Sequence, residues 1–527
     1  MTEHPHYDVA VVGYGPTGVT AANLLGADGL SVAVVEREPE IYSRARAIST
    51  DEEVLRIWQQ AGLADRAKQD MLADRPLEFV DAHGDPFINA NLEPRGHGHP
   101  PQMFIYQPAL EEALREGVQR FPTVELRLGH ECVRVFQRDG HVELVLVDLD
   151  RDEISRITAS YVIAADGGAS PTRGQLGIGF DGRTYEDRWV VIDTKMRTPW
   201  EGHDRLRFRC DPHRPAVDCP TPLGHHRWEF PVLRGEDADE LATESSVWRL
   251  LHRQGITSEQ VEILRAVVYK HHVRFASRWR AGRIFLAGDA AHAMPPWIGQ
   301  GMASGVRDAG NLCWKLSGVL AGSLPDSVLN SYEAERQPHV RAVTRRAVAA
   351  GRIITERRIA VTKIRDAAFR AVDKLPALNR RLQNAMWIPH CRYRDGFFAR
   401  DGHTAPGRKI PQPTVTDSAG KQRLLDEVTA GRWALLHLGD APDSRWDGLA
   451  TTRILPPGTK PHPHAIVDDE GVLTAWMREH RASALVLRPD SVVYTAANTD
   501  KPLAPPPPRA HPAAQQLDAP EVQTPWT

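Results

Sequence analysis

The sequence has few cysteines, no excess of basic charge and no long apolar run. Its five cysteines include no CxxC pair, so they predict neither a disulfide framework nor a metal site and favour a reducing compartment, the cytoplasm. The formal net charge of −3 argues against a nucleic-acid-binding protein. No apolar run approaches the roughly 18 residues of a membrane span, and the polar start MTEHPHYD does not predict a signal peptide. These absences leave a cytoplasmic globular chain of 527 residues, long enough for roughly two to four domains.

The start of the chain carries a pattern that is typical of dinucleotide binding. A valine-rich run predicts a buried strand, and Gly13, Gly15 and Gly18 follow it as GxGxxG. The first glycine permits the turn, the second lets a pyrophosphate approach the backbone, and the third lets helix and strand pack closely. A helix is predicted over about 17–27, and the next apolar run ends at Glu36, whose carboxylate can bind a ribose. These features predict a dinucleotide site, and a βαβ unit with incidental glycines is the alternative.

Two later segments distinguish a flavin from a nicotinamide as the bound dinucleotide. In YVIAADGGASPTRGQLGI an apolar strand runs into Asp166 and Gly167. In GRIFLAGDAAHAMPPWIGQGMASGVRDAGNLCWKL another strand ends at Gly288 and Asp289, and a proline-containing loop leads to a glycine-flanked helix start. The sequence contains no second strand-glycine-helix fingerprint, so one nucleotide-binding fold is expected.

The three motifs, in this order and spacing, resemble the single-component (class A) flavoprotein aromatic hydroxylases, the group of the p-hydroxybenzoate and phenol hydroxylases. The resemblance covers about residues 6–400. Within the family, segments such as RAISTDEEVLRIWQQAGL and VYKHHVRFASRWR are similar to the 3-(3-hydroxyphenyl)propionate hydroxylases. The resemblance implies FAD as the cofactor, NADH or NADPH as the reductant, and O2 as the source of an oxygen atom. The implied substrate is a phenol that carries a short carboxylate side chain.

The resemblance also implies an α/β fold with three parts. A Rossmann-like FAD-binding domain is expected over 1–185 and 276–400, with an inserted antiparallel-sheet substrate domain over 186–275. The segments LRFRC and RWEFPVL in that insertion alternate apolar and polar residues, as strands with one covered face do. Residues 401–500 resemble a thioredoxin-like domain without CxxC, which indicates a structural or oligomeric role; a homodimer is one possible assembly. The proline-rich tail over 501–527 is expected to be extended or disordered.

The family's cofactor contacts carry over onto positions of this sequence. Glu36 would hold the adenosine ribose, Arg46 would lie by the pyrophosphate and the flavin, and Gln107 by the ribityl chain. Asp289 would bind the ribityl chain or its phosphate, and a helix N-terminus at 301–305 would face the flavin pyrimidine, where reduced flavin carries negative charge. The expected cofactor-binding residues are Gly13, Gly15, Pro16, Thr17, Gly18, Glu36, Arg37, Arg46, Gln107, Asp166, Gly167, Gly288, Asp289, Gly299, Gly301, Met302 and Ala303. Many relatives have Asn at the position of Ala303, so its backbone N–H would serve there.

Three residues are candidates for catalysis. Arg227, at the start of RWEFPVL, is expected to stabilise negative charge on reduced flavin or on a phenolate; an ordinary outward-facing arginine is the alternative. Asp51 is a candidate acceptor for the phenol proton, with an N-cap of the helix that begins near Glu52 as the alternative. Pro296, in the loop after the third motif, is the third candidate. His292 in GDAAH is expected to be structural.

The cations of the substrate domain have two interpretations. Arg205, Arg207 and Arg209 are expected to lie on a solvated outer face. Arg214, or one of the histidines His225 and His226, is a candidate partner for a substrate carboxylate. Two other functions remain open from the sequence: a hydroxylase that tailors a bulky polycyclic phenol, and a flavin-binding protein without turnover.

Overall fold

The computed structural model describes residues 4–42, 46–90, 92–375, 378–379, 391–439 and 444–507. The chain divides into two compact units, of which the first comprises residues 1–310 and 336–390 and the second comprises 311–335 and 391–527. None of the described helices is long and apolar enough to cross a membrane.

The strands of the first unit are short except for β11, β12 and β16. In chain order they are β1 (His6–Val12), β2 (Val32–Glu36), β3 (Ser49–Asp51), β4 (Met71–Ala73), β5 (Leu77–Val80), β6 (Pro86–Ala90), β7 (Gln102–Ile105), β8 (Val124–Leu128), β9 (His130–Gln137), β10 (Val142–Asp148), β11 (Glu153–Ala164), β12 (Phe180–Met196), β13 (Leu206–Arg209), β14 (Ala216–Thr221), β15 (His225–Pro231), β16 (Val261–Ala276), β17 (Arg280–Ala281), β18 (Ile284–Leu286) and β19 (His292–Ala293).

Ten helices are described up to residue 375, and the last three are the longest. They are α1 (Pro16–Ala27), α2 (Glu52–Gln60), α3 (Ala64–Lys68), α4 (Gln107–Val118), α5 (Pro171–Gln175), α6 (Ala238–Leu241), α7 (Glu244–His252), α8 (Gly301–Leu320), α9 (Ser331–Ile354) and α10 (Ile359–Asp373).

The first sheet has the order β17-β18-β11-β1-β2-β8, and β10 and β9 extend it from β11. Strands β18, β11, β1, β2 and β8 run parallel to one another. Most side chains of β1, β2, β18 and the last part of β11 are buried, as expected for β-branched residues in a sheet with both faces covered, whereas those of the edge strand β8 are half-buried or exposed. α1 and β2 lie where the sequence predicts a helix and a second strand, so the expected Rossmann-like unit is confirmed. A small sheet, β3-β7-β4, leads into α2 and α4.

The second large sheet has the order β19-β16-β12-β15-β14-β13-β5-β6, and we call it the substrate sheet. LRFRC and RWEFPVL form β13 and β15, which pair antiparallel to β14 as their alternation predicts. The sheet is not confined to residues 186–275, because β5 and β6 come from residues 77–90 and β5 pairs in parallel with β13. This pairing joins segments more than a hundred residues apart. Local periodicity in the sequence cannot predict such a pairing.

One face of the substrate sheet is closed by α6 and α7. Val190, Trp228 and Phe230 on that face pack in one cluster with Leu241 of α6 and Val247 of α7. The opposite face carries Leu206, Phe208, Val217 and Cys219, which form a separate apolar cluster. Glu229 lies on this opposite face as well, because it is directly opposite Val217 in the β14–β15 pair and opposed residues share a face.

The second unit is built on a mixed sheet with its own apolar core. Its strands are β20 (Thr414–Thr416), β21 (Gln422–Leu424), β22 (Ala434–His437), β23 (Ala450–Leu455), β24 (Ala465–Val467), β25 (Ala484–Leu487) and β26 (Val493–Ala497), with helices α11 (Leu425–Thr429) and α12 (Val472–Glu479). β22, β23 and β24 are parallel, β25 is antiparallel to β22, and β26 is antiparallel to β25. The apolar segments RWALLHLG and VVYTAA form β22 and β26, while the thioredoxin-like assignment stays a prediction.

The start of the C-terminal tail is packed rather than disordered. Leu503 is buried, its carbonyl accepts a hydrogen bond from Arg445, and the carbonyl of Ala504 accepts one from the Trp446 indole. An apolar residue between prolines therefore anchors this segment within its own unit. The rest of the predicted tail, residues 508–527, lies outside the described residues.

Candidate active site

The glycine-rich turn is shaped by close backbone contacts. Gly13 has φ +99°, and a Cβ there would lie 2.4 Å from the carbonyl oxygen of Ala165. A Cβ on Gly18 would lie 1.9 Å from the carbonyl oxygen of Gly13, so any side chain would separate α1 from β1. A Cβ on Gly15 would meet nothing within 4 Å. The second glycine therefore faces open space at the N-terminus of α1, where an anionic pyrophosphate is stabilised.

Glu36 ends β2 at the edge of a cavity of about 850 Å³, the Glu36 cavity. Its carboxylate is held by backbone donors, since Oε2 accepts from the Tyr14 N–H at 2.6 Å and Oε1 accepts from the Glu38 N–H at 3.0 Å. Carboxylate oxygens can accept further hydrogen bonds, so Glu36 can still bind a ribose. Arg37 and Gly13 line the same cavity.

The DG motif folds around its own aspartate. Asp166 accepts hydrogen bonds from the Ser170 hydroxyl at 2.5 Å and from the Thr172 N–H at 3.0 Å. Arg173 donates to the carbonyls of Gly168 and Ala290, which joins this motif to the GD motif. Asp166 lies at the Glu36 cavity, but its carboxylate is occupied mainly in shaping the turn.

The GD motif packs against the start of α1. Gly288 has φ +60°, and a Cβ there or on Gly305 of α8 would lie 2.6 Å or 2.2 Å from the Thr17 hydroxyl oxygen. Asp289 is exposed and accepts no hydrogen bond from any residue that the structure describes. His292 is fully buried against Asp308, at 2.7 Å, so its predicted structural role is confirmed.

A second cavity of about 300 Å³ lies at the start of α8, and we call it the Trp297 cavity. It shares Arg46, Ala165, Gly167 and Asp289 with the Glu36 cavity, so the two cavities adjoin along one groove. Predicted cofactor residues that line it also include Gly15, Pro16, Thr17, Gln107, Gly299, Gly301 and Met302, together with Pro296. Ala303 is buried and is not among the lining residues. The groove fits FAD. Along it lie Gly15 at a helix N-terminus, Glu36 as an acceptor for a ribose, and Asp289, whose carboxylate accepts no hydrogen bond from the described residues.

The segment that carries Arg46 is fixed by Gln107. The Gln107 side-chain oxygen accepts from the N–H groups of Arg46 and Ala47, both at 2.8 Å, and its amide donates to Glu111. Gln107 therefore holds the backbone beside the groove. Its expected contact with the ribityl chain stays a prediction.

Asp51 caps α2, and this contact contradicts its proposed role as an acceptor for the phenol proton. Oδ1 accepts from the Glu53 and Val54 N–H groups, and Arg307 donates to both carboxylate oxygens at 2.7 Å. Gln300 donates to Oδ2 at 3.0 Å. The side chain is buried and its acceptor positions are filled, so the alternative N-cap interpretation is the one the structure supports.

Arg227 is buried in an ion pair and does not present a free charge to the groove. Its Nε and Nη2 donate to the two oxygens of Asp193 at 2.7 Å and 3.1 Å, and Nη1 donates to the carbonyl of Arg46 at 3.0 Å. Arg265 on β16 also binds Asp193, at 2.5 Å. The expectation that Arg227 directly stabilises charge on the flavin or a phenolate is therefore corrected: Asp193 neutralises it, and it ties the substrate sheet to the Arg46 segment.

The candidate carboxylate partners lie away from the groove. Arg214 is paired with Glu236 and donates to the carbonyl of Pro231. His226 is buried against Asp218, at 2.6 Å, on the face closed by α6 and α7. His225 stacks on Tyr106, with ring centres 4.1 Å apart. None of these three described side chains lines either cavity, so the two cavities do not support their substrate contact, which stays a prediction.

The cations expected on a solvated face are also engaged. Arg207 and Arg209 bind Asp218 at 2.8 Å and 3.3 Å, and their side chains are only 16% and 20% exposed. Arg205 is more exposed, at 35%, and pairs with Glu78. Apolar and polar residues alternate along β13 as predicted. Arg207 and Arg209 are nevertheless largely shielded from solvent, because both bind the buried Asp218 on the neighbouring strand β14.

Glu229 and Tyr269 are two further residues of this site that were not predicted from the sequence. Glu229 is a buried acid that lines the Trp297 cavity, and it accepts a hydrogen bond from the Tyr269 hydroxyl at 2.9 Å. Leu206, Phe208 and Val217 form the adjoining wall. The sequence could have indicated Glu229 as a site residue. It lies two residues after Arg227 in RWEFPVL, so the alternation of the strand places both side chains on the same face.

Two family models match this chain. The model described as FAD binding domain matches residues 6–347, and the model described as HcaD C-terminal domain matches residues 407–504. The first match contains all three glycine motifs of the groove.

Full-length relatives and solved structures agree with these matches. The chain is 36% identical to the 3-(3-hydroxy-phenyl)propionate/3-hydroxycinnamic acid hydroxylase 2 of Burkholderia vietnamiensis, over 93% of each chain. It is 34% identical to the corresponding hydroxylase of Mycolicibacterium gilvum, over 94% of this chain and 90% of that one. Among solved structures, OxyS anhydrotetracycline hydroxylase from Streptomyces rimosus has a TM-score of 0.74 at 26% identity, covering 94% of this chain and 96% of that chain. The monooxygenase PieE has a TM-score of 0.79 at 24% identity, with coverage of 94% and 96%, and shows the fold.

Proposed function

This chain belongs to the family of FAD-dependent aromatic hydroxylases, and we propose that its substrate is a small phenol with a short carboxylate side chain, such as 3-(3-hydroxyphenyl)propionate. The observation that carries the proposal is the similarity to hydroxylases of that name at 36% identity over almost the whole chain. That name describes the relatives, and the size and charge of the groove support the same substrate class for this protein.

The Trp297 cavity suits a substrate with one aromatic ring. Its volume of about 300 Å³ lies at the lower end of the range for small-molecule sites, which is about 300–1,000 Å³. Its lining includes predicted cofactor residues such as Gly301 and Met302, so a small substrate fits the space beside the flavin better than a polycyclic one. Its wall beside the substrate sheet is apolar at Leu206, Phe208 and Val217, and Trp297 and Pro296 close another side. These side chains can exclude water from a bound ring, which protects a reactive oxygen species from hydrolysis or loss.

FAD, when bound and reduced by NADH or NADPH, supplies the activated oxygen for the hydroxylation. The residues of this chain bind and orient it: the Gly15 turn and the N-terminus of α1 hold the pyrophosphate, and Glu36 holds the ribose. The first turn of α8 provides N–H groups and a positive dipole end beside Gly301 and Met302, where reduced flavin would carry its negative charge.

The substrate carboxylate needs a partner, and Arg46 is the candidate that the groove offers. It is the one arginine, lysine or histidine among the described residues that line the Trp297 cavity. We therefore assign Arg46 a part in orienting the carboxylate, in addition to its expected place by the cofactor. A reducing cytoplasm and, as one assembly, a homodimer remain part of the proposal; the five free, buried thiols suit that compartment.

The test is product formation with a graded set of substrates at saturating FAD. 3-(3-Hydroxyphenyl)propionate should be hydroxylated, its amide should bind more weakly, and a tetracyclic phenol should not stimulate NADH oxidation. The preference for the acid over the amide should disappear in Arg46→Ala and persist in Arg37→Ala, because Arg37 lines only the Glu36 cavity. Hydroxylation of the tetracyclic phenol alone would favour a tailoring enzyme, and NADH oxidation without any product would favour a flavoprotein without this activity.

A further inference from the structure

The substrate sheet places one buried carboxylate against the cavity in which the phenol is expected. Glu229 is 7% exposed and lines the Trp297 cavity between Val217 on β14 and Val191 on β12. The other acid at this cavity, Asp289, lies at the motif shared with the Glu36 cavity, where the cofactor is expected. Glu229 is thus the acid on the substrate side of the described groove.

The two oxygens of Glu229 have different surroundings. Oε2 accepts the hydrogen bond of the Tyr269 hydroxyl at 2.9 Å. Oε1 lies 4.0 Å from Arg227 Nη1 and accepts no hydrogen bond from any residue within the described ranges. A carboxylate oxygen can accept hydrogen bonds, and a ligand hydroxyl in the cavity that Glu229 lines would supply a donor to Oε1.

The neighbouring charges keep Glu229 an effective proton acceptor. Burial raises the pKa of Glu229 above its ordinary value, and the nearby Arg227 and the Tyr269 hydroxyl oppose that rise. Arg227 is itself paired with Asp193, so it does not lock Glu229 in a close ion pair. A base whose pKa is shifted upward towards the working pH accepts a proton more readily than an ordinary exposed carboxylate.

We propose that Glu229 is the general base of the hydroxylation: its Oε1 accepts the hydrogen bond of the substrate's phenolic O–H and takes the proton as the ring is hydroxylated. The O–H bond of the phenol breaks, an O–H bond forms on the carboxylate, and the electron pair left on the phenolic oxygen is pushed into the ring. The phenolic proton becomes strongly acidic as the ring gives up electrons, so its transfer to a carboxylate is favourable at that stage. Tyr269 acts as a positioning residue that holds Oε2 and so directs Oε1 into the cavity.

The decisive variant is Glu229→Gln, because an amide oxygen still accepts the hydrogen bond but cannot take the proton under working conditions. The inference rests on the phenolic substrate proposed above, so binding is measured first, on the holoenzyme without reductant, with 3-(3-hydroxyphenyl)propionate and with 3-phenylpropionate. We expect both enzymes to bind the phenol with dissociation constants within about threefold, and we expect hydroxylation in Glu229→Gln to fall by about 10²–10⁴-fold. Glu78→Gln, a paired carboxylate elsewhere in the same sheet, is the matched control and should behave as the wild type.

A more acidic substrate distinguishes a base from a structural residue. A ring-fluorinated analogue ionises at lower pH and enters partly as phenolate, so it should recover rate in Glu229→Gln relative to its effect on the wild type. Raising the pH should recover rate in the same way. A slow variant that neither change rescues would assign Glu229 to structure and overturn the proposal, as would a variant with an unchanged rate.

A second variant keeps the proposal testable if Glu229→Gln does not fold. Tyr269→Phe removes the donor to Oε2, which raises the pKa of Glu229, so the acidic limb of the pH–rate profile should move to higher pH. An unmoved limb would overturn the proposal. Failure of wild-type holoenzyme to bind 3-(3-hydroxyphenyl)propionate more tightly than 3-phenylpropionate would instead reject the proposed substrate class, and this inference with it.

Discussion

Replacing Arg227 by alanine should lower the free energy of unfolding of the first unit substantially. It should change the rate of flavin reduction only slightly. The substitution removes two hydrogen bonds to Asp193 and one to the carbonyl of Arg46 from a side chain that is almost fully buried. Breaking a buried ion pair by deleting one partner typically costs about 3–5 kcal/mol. Arg265 still neutralises Asp193 in the variant, so the lower end, about 3 kcal/mol, is expected.

The assay is unfolding at saturating FAD, followed by tryptophan and flavin fluorescence, beside the control Arg205→Ala. Arg205 lies on the same sheet but is 35% exposed, and exposed ion pairs contribute roughly 0–1 kcal/mol. The rate of flavin reduction per bound FAD should change less than about tenfold, because the charge of Arg227 is balanced by Asp193. If Arg227→Ala unfolds like Arg205→Ala, or stays stable and loses about 10²–10³ in the reduction rate, the reasoning is refuted.

Three further outcomes follow from the groove and its surroundings. Glu36→Ala should weaken FAD binding by about 1.5–3 kcal/mol, tenfold or more, because charged hydrogen bonds to the ribose are lost; FAD titration of the apoprotein measures this, and unchanged affinity would contradict the assignment. Gly18→Ala should give a colourless protein, since its Cβ would lie 1.9 Å from the Gly13 carbonyl oxygen, and retention of stoichiometric FAD would contradict the packing. Burial raises the pKa of Glu52 to about 7, so the folded state binds the proton more tightly than the unfolded state. Stability should therefore fall by about 3 kcal/mol as pH rises from about 4.5 to about 7, and unfolding of Glu52→Gln, measured over the same range, should lack this fall.

The cofactor site could be predicted from the sequence because each of its motifs is a short segment that can be recognised by itself. Gly18 meets Gly13 within one such segment, whereas Gly13 and Gly288 meet other motifs, and glycine is required where a Cβ would meet backbone or a neighbouring side chain. The order of the three glycine motifs along the chain then indicates the family of flavoprotein aromatic hydroxylases. The positions of α1 and β2, and the carboxylate at Glu36, follow from the same short segment.

The charged partners of the substrate sheet could not be predicted, because they depend on strand register. Arg227 meets Asp193, which lies 34 residues earlier in the chain, and Asp51 meets Arg307, 256 residues later. Alternation indicates the face on which a residue lies but not the residue opposite it. Alternation does predict the face of Glu229. Glu229 lies two residues after Arg227 on β15, so both side chains lie on the same face of the sheet, and Glu229 lines the cavity there.

The most direct test of the central claim is isotope incorporation during turnover. The purified protein is supplied with FAD, NADH and ¹⁸O₂, and 3-(3-hydroxyphenyl)propionate is the substrate. The account predicts a dihydroxylated product in which the new hydroxyl carries ¹⁸O, formed with one NADH oxidised per product. Oxidation of NADH that yields only hydrogen peroxide, or a product whose new oxygen comes from water, would contradict it.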